Sequence, residues 1–537
     1  MCYGVPYCNK GLTTGLDDKA PIQVDHFRIC STANTSLTMG RPFLTIEDLK
    51  VTFSLICCVL GVGTLSMPKN YASAGYGWAT AALVYMALIN TYATLCISKL
   101  LLVAPKQVRT FADLGEFCMG NFGRWAILIT QMLTCILVPI VLLVLAGSLV
   151  VIIFAGSYGE TTWIILTGLA LMPFCLIPTL KEGAMAAAAG ALGTVLASAI
   201  ALYLLLDNMT PIPKDVDTPM PDVGLKQIAS VFGSLALAYN AGIVIPELQR
   251  EHSEPTHMPR IIVVSMVIIS GFFLAVAIIG VSVLGCQVPG NLIFSIAGTP
   301  TALGFTANRG GVILSCLFMI MHIVVAFAII MNPAYYTLER LILGLHKTPS
   351  ILNVEVVEGG FQQVTTPNNQ EVKMSTVSQV EAKMSTVSQV EVDHDTDLKT
   401  YQAPGVYPKV AALRIVVVAA CIAISCVWKD HLSELLDFAG ACCVSIVSMI
   451  LPMMFYVKHF WRSISKLEMV WAISSIIVCA CLAVYETYEN GKPLFNPDPA
   501  VPVTWDSVKF AYCPAGSSYQ RMVYTNVSYH ANYTHSS

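Results

Sequence analysis

Charge is scarce in this chain: 12% of its 537 residues are Asp, Glu, Lys or Arg, about half the share of a soluble globular domain. That shortage excludes an ordinary water-soluble fold. No stretch is basic enough to track a phosphate backbone, and the net charge is −3, so nucleic acid is excluded and lipid and small solutes remain as partners. No Cys-x-x-Cys pair with metal-ligand spacing occurs among the 18 cysteines. Most of them, Cys57, Cys58, Cys135, Cys442 and Cys443 included, fall in apolar runs where a thiol behaves as a small hydrophobe. No metal and no cofactor is expected. Paired carboxylates and nucleophile motifs are also lacking, which argues against an enzyme. The first 45 residues have no apolar core bounded by a small-residue cleavage site, so they do not read as a signal peptide.

What the chain has instead is apolar length. Hydrophobic residues make up 55% and mean hydropathy is +0.67, concentrated in runs of about 20 residues, the length that crosses a hydrocarbon core. These runs predict an all-α polytopic membrane protein with eleven spans at 48–69, 77–103, 125–154, 161–180, 184–206, 225–246, 260–286, 309–340, 409–428, 434–457 and 467–486. The polar remainder divides into an N-terminal tail (1–45), a linker (346–408) between spans 1–8 (46–345) and spans 9–11 (409–486), and a C-terminal tail (487–537). The linker carries a tandem decapeptide, Glu371 to Val380 and Glu381 to Val390. With few aromatics it cannot bury a core, so disorder is expected there.

Placing the N-terminus in the cytoplasm sends most Lys and Arg of the connections to that side, as the positive-inside rule requires. The C-terminal tail is then extracellular or lumenal. Its sequons at Asn526 and Asn532 agree, being usable only on that face. Cys286 and Cys513 would share the same oxidising side, where a disulfide and two free thiols are both compatible with the sequence. Plasma membrane and vacuolar or lysosomal membrane share this topology. Nothing in the pattern demands an oligomer, so a monomer suffices.

Two spans carry helix-breaking residues at mid-membrane depth, where freed backbone groups are tolerated only in a protein-lined or wet cavity. The first contains Gly61-Val62-Gly63-Thr64-Leu65, and the sixth contains Tyr239-Asn240-Ala241-Gly242 followed by Pro246-Glu247. Such breaks in corresponding positions of two five-span halves point to a transporter site at the repeat interface. A half-helix N-terminus offers N–H groups to a carboxylate, and freed carbonyls suit an ammonium. An amino acid carries both charges. In this reading amides after Gly63 hold the carboxylate, and carbonyls near Cys58 and from Ser234 to Leu237 hold the ammonium. Tyr239 and Asn240 shape the side-chain pocket. Gly190-Ala-Leu-Gly193 in the fifth span reads instead as a helix-packing seam.

Gly61-Val-Gly-Thr-Leu-Ser-Met-Pro68 with Ala74-Gly-Tyr-Gly-Trp78, Phe111-Ala-Asp-Leu-Gly115 with Gly120-Asn-Phe-Gly-Arg124, and Ala238-Tyr-Asn-Ala-Gly242 with Ile245-Pro-Glu-Leu-Gln-Arg250 resemble segments of the amino acid/auxin permease family. Asn332-Pro333 also recurs in members. The resemblance covers residues 45 to 486 and implies a LeuT-type fold, a 5+5 inverted repeat with helices 1 and 6 broken. It also implies symport of amino acids driven by protons or sodium.

Sodium-coupled members place an asparagine where this chain has Cys57, and a thiol is a poor ligand for sodium. Proton coupling, or simple exchange, is therefore expected ahead of sodium. His322, near the middle of the eighth span, is the candidate proton switch, against which stands a neutral histidine bonded to a neighbouring helix. Glu247 and Arg250 form a candidate inner gate or a simple rim pair. Arg414 is expected to snorkel to an interface. An amino acid sensor that binds without flux is the alternative function.

Overall fold

In a computed structural model, residues 44–105, 108, 110–176, 183–209, 220–221, 223–297, 307–345, 401, 404–496, 512–513, 520–524 and 531–535 are described. Residues 1–43 of the N-terminal tail, the tandem decapeptide and Asn526 lie outside them.

Nine helices among these residues are long and apolar enough to cross a bilayer. Two glycines resolve them into the expected passages. Gly75, at φ 71° inside Met67–Val103, turns the end of the first span into the second. Gly120, at φ 65° inside Phe111–Ile153, separates a short entry helix from the third. Both take the left-handed conformation that glycine adopts without penalty. The entry helix starts at a capping box, in which Thr110 accepts from the Asp113 amide and Asp113 from the Thr110 amide. The fourth span, Glu160–Leu176, is a shorter apolar helix, and the first is divided into Ile46–Val59 and Val62–Leu65. The fifth is Gly183–Met209, the sixth lies within Leu225–Arg250 and the seventh is Met258–Ser282. Arg309–Ile342, Val406–Val427, Lys429–Phe460 and Lys466–Phe495 complete the set. The result is a polytopic helical protein with eleven passages among the described residues, interrupted in spans one and six.

Glycine lets the spans approach at their backbones. A Cβ on Gly193 would stand 2.6 Å from the Phe318 carbonyl oxygen, so the fifth span packs tightly on the eighth. Gly233 and Gly440 bring the sixth and tenth spans together: a Cβ on either would lie within 2.3 Å of a carbonyl oxygen opposite. The tenth span responds with π-helical turns at Gly440–Val444 and Ile446–Ile450, a distortion that recurs at functional sites.

Several expectations change. The last helix continues to Phe495, beyond the apolar run, because Asn490 bonds Glu486 one turn back and the Trp428 indole reaches the Leu494 carbonyl. The C-terminal tail contains a hairpin, Gln520–Tyr524 against Ala531–His535, with Asn532 opposite Val523. Cys286 and Cys513 are joined in a disulfide, Cα atoms 4.9 Å apart. Arg414 does not snorkel. It is buried, paired with Glu339 at 2.8 Å and bonded to the Cys175 carbonyl, while the Tyr401 hydroxyl donates to the same carboxylate. The sequence pattern hides this because Glu339, 75 residues away, supplies the countercharge.

Candidate functional site between two interrupted helices

The first helix begins at Thr45, which caps it reciprocally with Asp48, and ends when Leu60 turns extended (φ −70°, ψ 106°). Gly61 is also extended. Helical geometry resumes at Val62, so the amides of Val62 and Gly63 open a new segment, where an α-helix leaves its first N–H groups without intrahelical partners. The Thr64 amide already bonds the Gly61 carbonyl at 3.0 Å. Ser66 returns its hydroxyl to the Gly63 carbonyl at 2.9 Å.

In the sixth span, helix Val231–Ala238 stops at Tyr239 (φ −90°, ψ 19°) and restarts through a 3-10 turn, Gly242–Val244. The two interruptions touch. A Cβ on Gly63 would lie 2.7 Å from the Ala238 backbone, so only glycine permits this approach. Val62 to Leu65 and Ala241 are buried with it. Tyr239 and Asn240 project to other spans. The buried Tyr239 hydroxyl donates to Ser270 of the seventh span at 2.8 Å, with its ring edge-on to Phe273. Asn240 accepts from Ser448, in the π-helical stretch of the tenth, at 2.7 Å.

A family model described as transmembrane amino acid transporter protein matches residues 45–489. The chain belongs to this family. It is 24% identical over 258 residues to the amino acid transporter AVT1J of Arabidopsis thaliana, a match spanning 46% of this chain and 59% of that one. Lysine histidine transporter-like 1 of the same plant is 24% identical over 347 residues, 58% of this chain and 71% of the relative. The chain thus spans little more than half the length of the first of these relatives. Among solved structures it is similar to MhsT in complex with L-phenylalanine, with a TM-score of 0.48 and 11% identity over 82% of this chain and 98% of that one. A manganese transporter of Eremococcus coleocola has a TM-score of 0.47, 10% identity and coverage of 86% and 91%.

Within this family member, His322 stands at the first interruption. It is buried, and its Nδ1 lies 3.1 Å from the Gly190 carbonyl oxygen. A carbonyl only accepts, so Nδ1 carries a proton and Nε2 is the nitrogen left to titrate. That Nε2 faces Gly61, 3.1 Å from where a Cβ would sit. His322 therefore bonds a neighbouring helix, as one of the two sequence readings had it, and its other ring nitrogen faces the break.

Arg250 donates to the carbonyls of Val108 at 2.9 Å and Pro105 at 3.1 Å. The carboxylates that tie the N-terminal end of the first span are Glu47 and Asp48 instead, bonded to the connection between spans six and seven.

Sequence reasoning missed Lys69. It lies beyond the first break, buried, with Nζ 2.5 Å from Asp437 Oδ2 on the tenth span. One residue on, Asn70 accepts from Ser234 of the sixth span at 2.6 Å. Spans one, six and ten are thereby pinned on the side opposite the N-terminus. A lysine directly after Pro68, within an otherwise apolar span, was the available signal.

Proposed function

We propose that the chain is a secondary carrier of neutral L-amino acids that couples uptake to protons and works by alternating access. The supporting observation is the meeting of the two interruptions at Gly63 and Ala238, with a titratable imidazole nitrogen facing Gly61. The amides of Val62 and Gly63 suit a carboxylate, and the carbonyls near Cys58 and from Ser234 to Leu237 are the groups assigned to the ammonium. No charged side chain lies in Gly61 to Leu65 or Tyr239 to Ala241, which favours neutral side chains.

Coupling follows from charge. A proton on His322 Nε2 places a cation beside the carboxylate-binding amides, so proton and substrate each strengthen the binding of the other. Sodium is disfavoured by the buried thiol of Cys57. Closure on the far side falls to Lys69 and Asp437, and on the N-terminal side, which we assign to the cytoplasm, to the cluster around Asp48. A plasma-membrane and a vacuolar or lysosomal setting both accommodate this reading, and a monomer is sufficient.

Uptake of labelled neutral amino acids into proteoliposomes, under an inward proton gradient, a sodium gradient and neither, tests it. Concentrative uptake that follows protons is expected. His322→Gln, whose amide can still donate to Gly190 but cannot titrate, should abolish gradient-driven accumulation while leaving exchange. Sodium-driven uptake defeats the proton assignment. Saturable binding with no flux in any gradient defeats the carrier and leaves a sensor.

A further inference from the structure

Two Cys-Cys dipeptides lie within membrane spans, at Cys57-Cys58 and Cys442-Cys443, and they are built differently. Successive side chains leave an α-helix about 100° apart, which keeps neighbouring thiols from meeting. Cys57 and Cys58 follow that rule in the helix Ile46–Val59. Cys57 is buried, Cys58 is exposed, and among the described residues no hydrogen bond joins their sulfurs.

Cys442 and Cys443 do not follow it. They sit in the π-helical turn Gly440–Val444 of the tenth span, whose wider coil turns successive side chains through a smaller angle. Their Sγ atoms stand 3.0 Å apart. Cys443 is buried and Cys442 half-buried.

The turn lies where two backbones meet. A Cβ on Gly440 would fall 1.9 Å from the Gly233 carbonyl oxygen, so the tenth span touches the sixth just before the thiols. The π-helical stretch resumes at Ile446–Ile450 and carries Ser448, whose hydroxyl donates to Asn240 at 2.7 Å. The pair is therefore set between the two points at which the tenth span holds the interrupted sixth.

Thiols this close form a chelate for a centre that needs only two protein sulfurs at a narrow angle. Zinc does not fit. It sets ligands tetrahedrally at about 2.3 Å, which places two sulfurs about 3.8 Å apart, and a structural zinc takes four protein ligands. Among the described residues no third Cys, His, Asp or Glu joins this pair. Trivalent arsenic bearing one organic group is pyramidal, brings its own third substituent and grips sulfurs that nearly touch. A neutral aryl arsenical also enters hydrocarbon, and the half-buried Cys442 gives it a first point of attack.

We propose that Cys442 and Cys443 are a dithiol site for monosubstituted trivalent arsenic, and that closing it arrests transport by fixing the π-helical turn between Gly233 and Asn240. An arsenoxide reacts without oxidation or reduction. Two arsenic–sulfur bonds form, the arsenic–oxygen bond breaks, and the two thiol protons leave with the oxygen as water. The arrest rests on the carrier reading above, whereas the binding does not.

Phenylarsine oxide tests both parts on the full-length protein. Intact mass should rise by one phenylarsenic group, which excess 2,3-dimercaptopropanol removes and 2-mercaptoethanol, with one sulfur, does not. Cys442→Ser and, at the buried position, Cys443→Ala should each lower adduct occupancy by at least about tenfold, because the second bond is no longer intramolecular. Cys57→Ser with Cys58→Ser should leave occupancy unchanged. In proteoliposomes the reagent should lower uptake by at least about tenfold in wild type, reversibly with the dithiol, and by less than about twofold in the two single variants, each against its own untreated rate. An adduct that persists in either single variant, is lost in the Cys57, Cys58 double variant, or yields to 2-mercaptoethanol as readily as to the dithiol overturns the site. An adduct on the pair that leaves uptake unchanged overturns the arrest. Absence of uptake in untreated wild type overturns the carrier reading instead, and the mass measurement then decides the site alone.

Discussion

On the far side of the two interruptions one ammonium meets one carboxylate, whereas on the N-terminal side two carboxylates are shared among an arginine, a histidine, a serine and two backbone amides. Asp437 Oδ1 has no partner among the described residues. Asp48 and Glu47 have both oxygens engaged. A buried carboxylate oxygen without a donor regains hydrogen bonds when water reaches it, so the far closure is offset in part by what opening restores. In the near cluster every carboxylate oxygen is bonded, and the buried atom without a hydrogen-bond partner among the described residues is Arg260 Nε. The comparison assigns reversible opening on the far side to parting of the lysine pair.

Removing one partner of the far pair should give the largest effect. Lys69→Met leaves Asp437 buried and uncompensated, a loss of about 3–5 kcal/mol, read as a drop in the thermal midpoint of the purified protein. Lys69→Met combined with Asp437→Leu should recover most of that loss, because a buried ion pair replaced by apolar side chains is often neutral. If the double variant is no better than the single, the pair is not what makes Lys69 costly to change.

Gly63→Ala comes next. The new methyl meets the Ala238 backbone at 2.7 Å, and overpacking of this kind costs about 1–3 kcal/mol. Because the contact is the point at which the interruptions meet, uptake should fall far more than stability. A variant that transports normally would separate the two interruptions functionally and remove the axis on which the two closures are compared.

Much of this was legible in the sequence for physical reasons. Apolar run length is imposed by the bilayer, so the spans fell where expected, and Gly61 with Gly63 marked the first interruption as Gly242 with Pro246 marked that of the sixth span. His322 was visible because an ionisable residue inside a span is rare. Partnerships were not legible. Lys69 finds its counterion 368 residues away and Arg414 finds Glu339 across a long polar linker. Tyr239 was expected in the pocket, yet its hydroxyl reaches Ser270. Period and composition report how deep a residue lies, while the direction of its side chain depends on which span packs beside it.

The smallest effect sharpens the comparison most. Ser253 is exposed, and Glu47 accepts from both its hydroxyl and its backbone amide. Ser253→Ala removes the first and keeps the second, while every bond to Asp48 survives. An exposed hydrogen bond to a carboxylate is worth about 0–1 kcal/mol, so the thermal midpoint and uptake should both stay close to wild type. The shared cluster then tolerates loss of a donor that the far pair, with one contact, cannot. A fall as large as that of Lys69→Met would mean the near side also hangs on a single bond, and the first half-span would be free to swing alone.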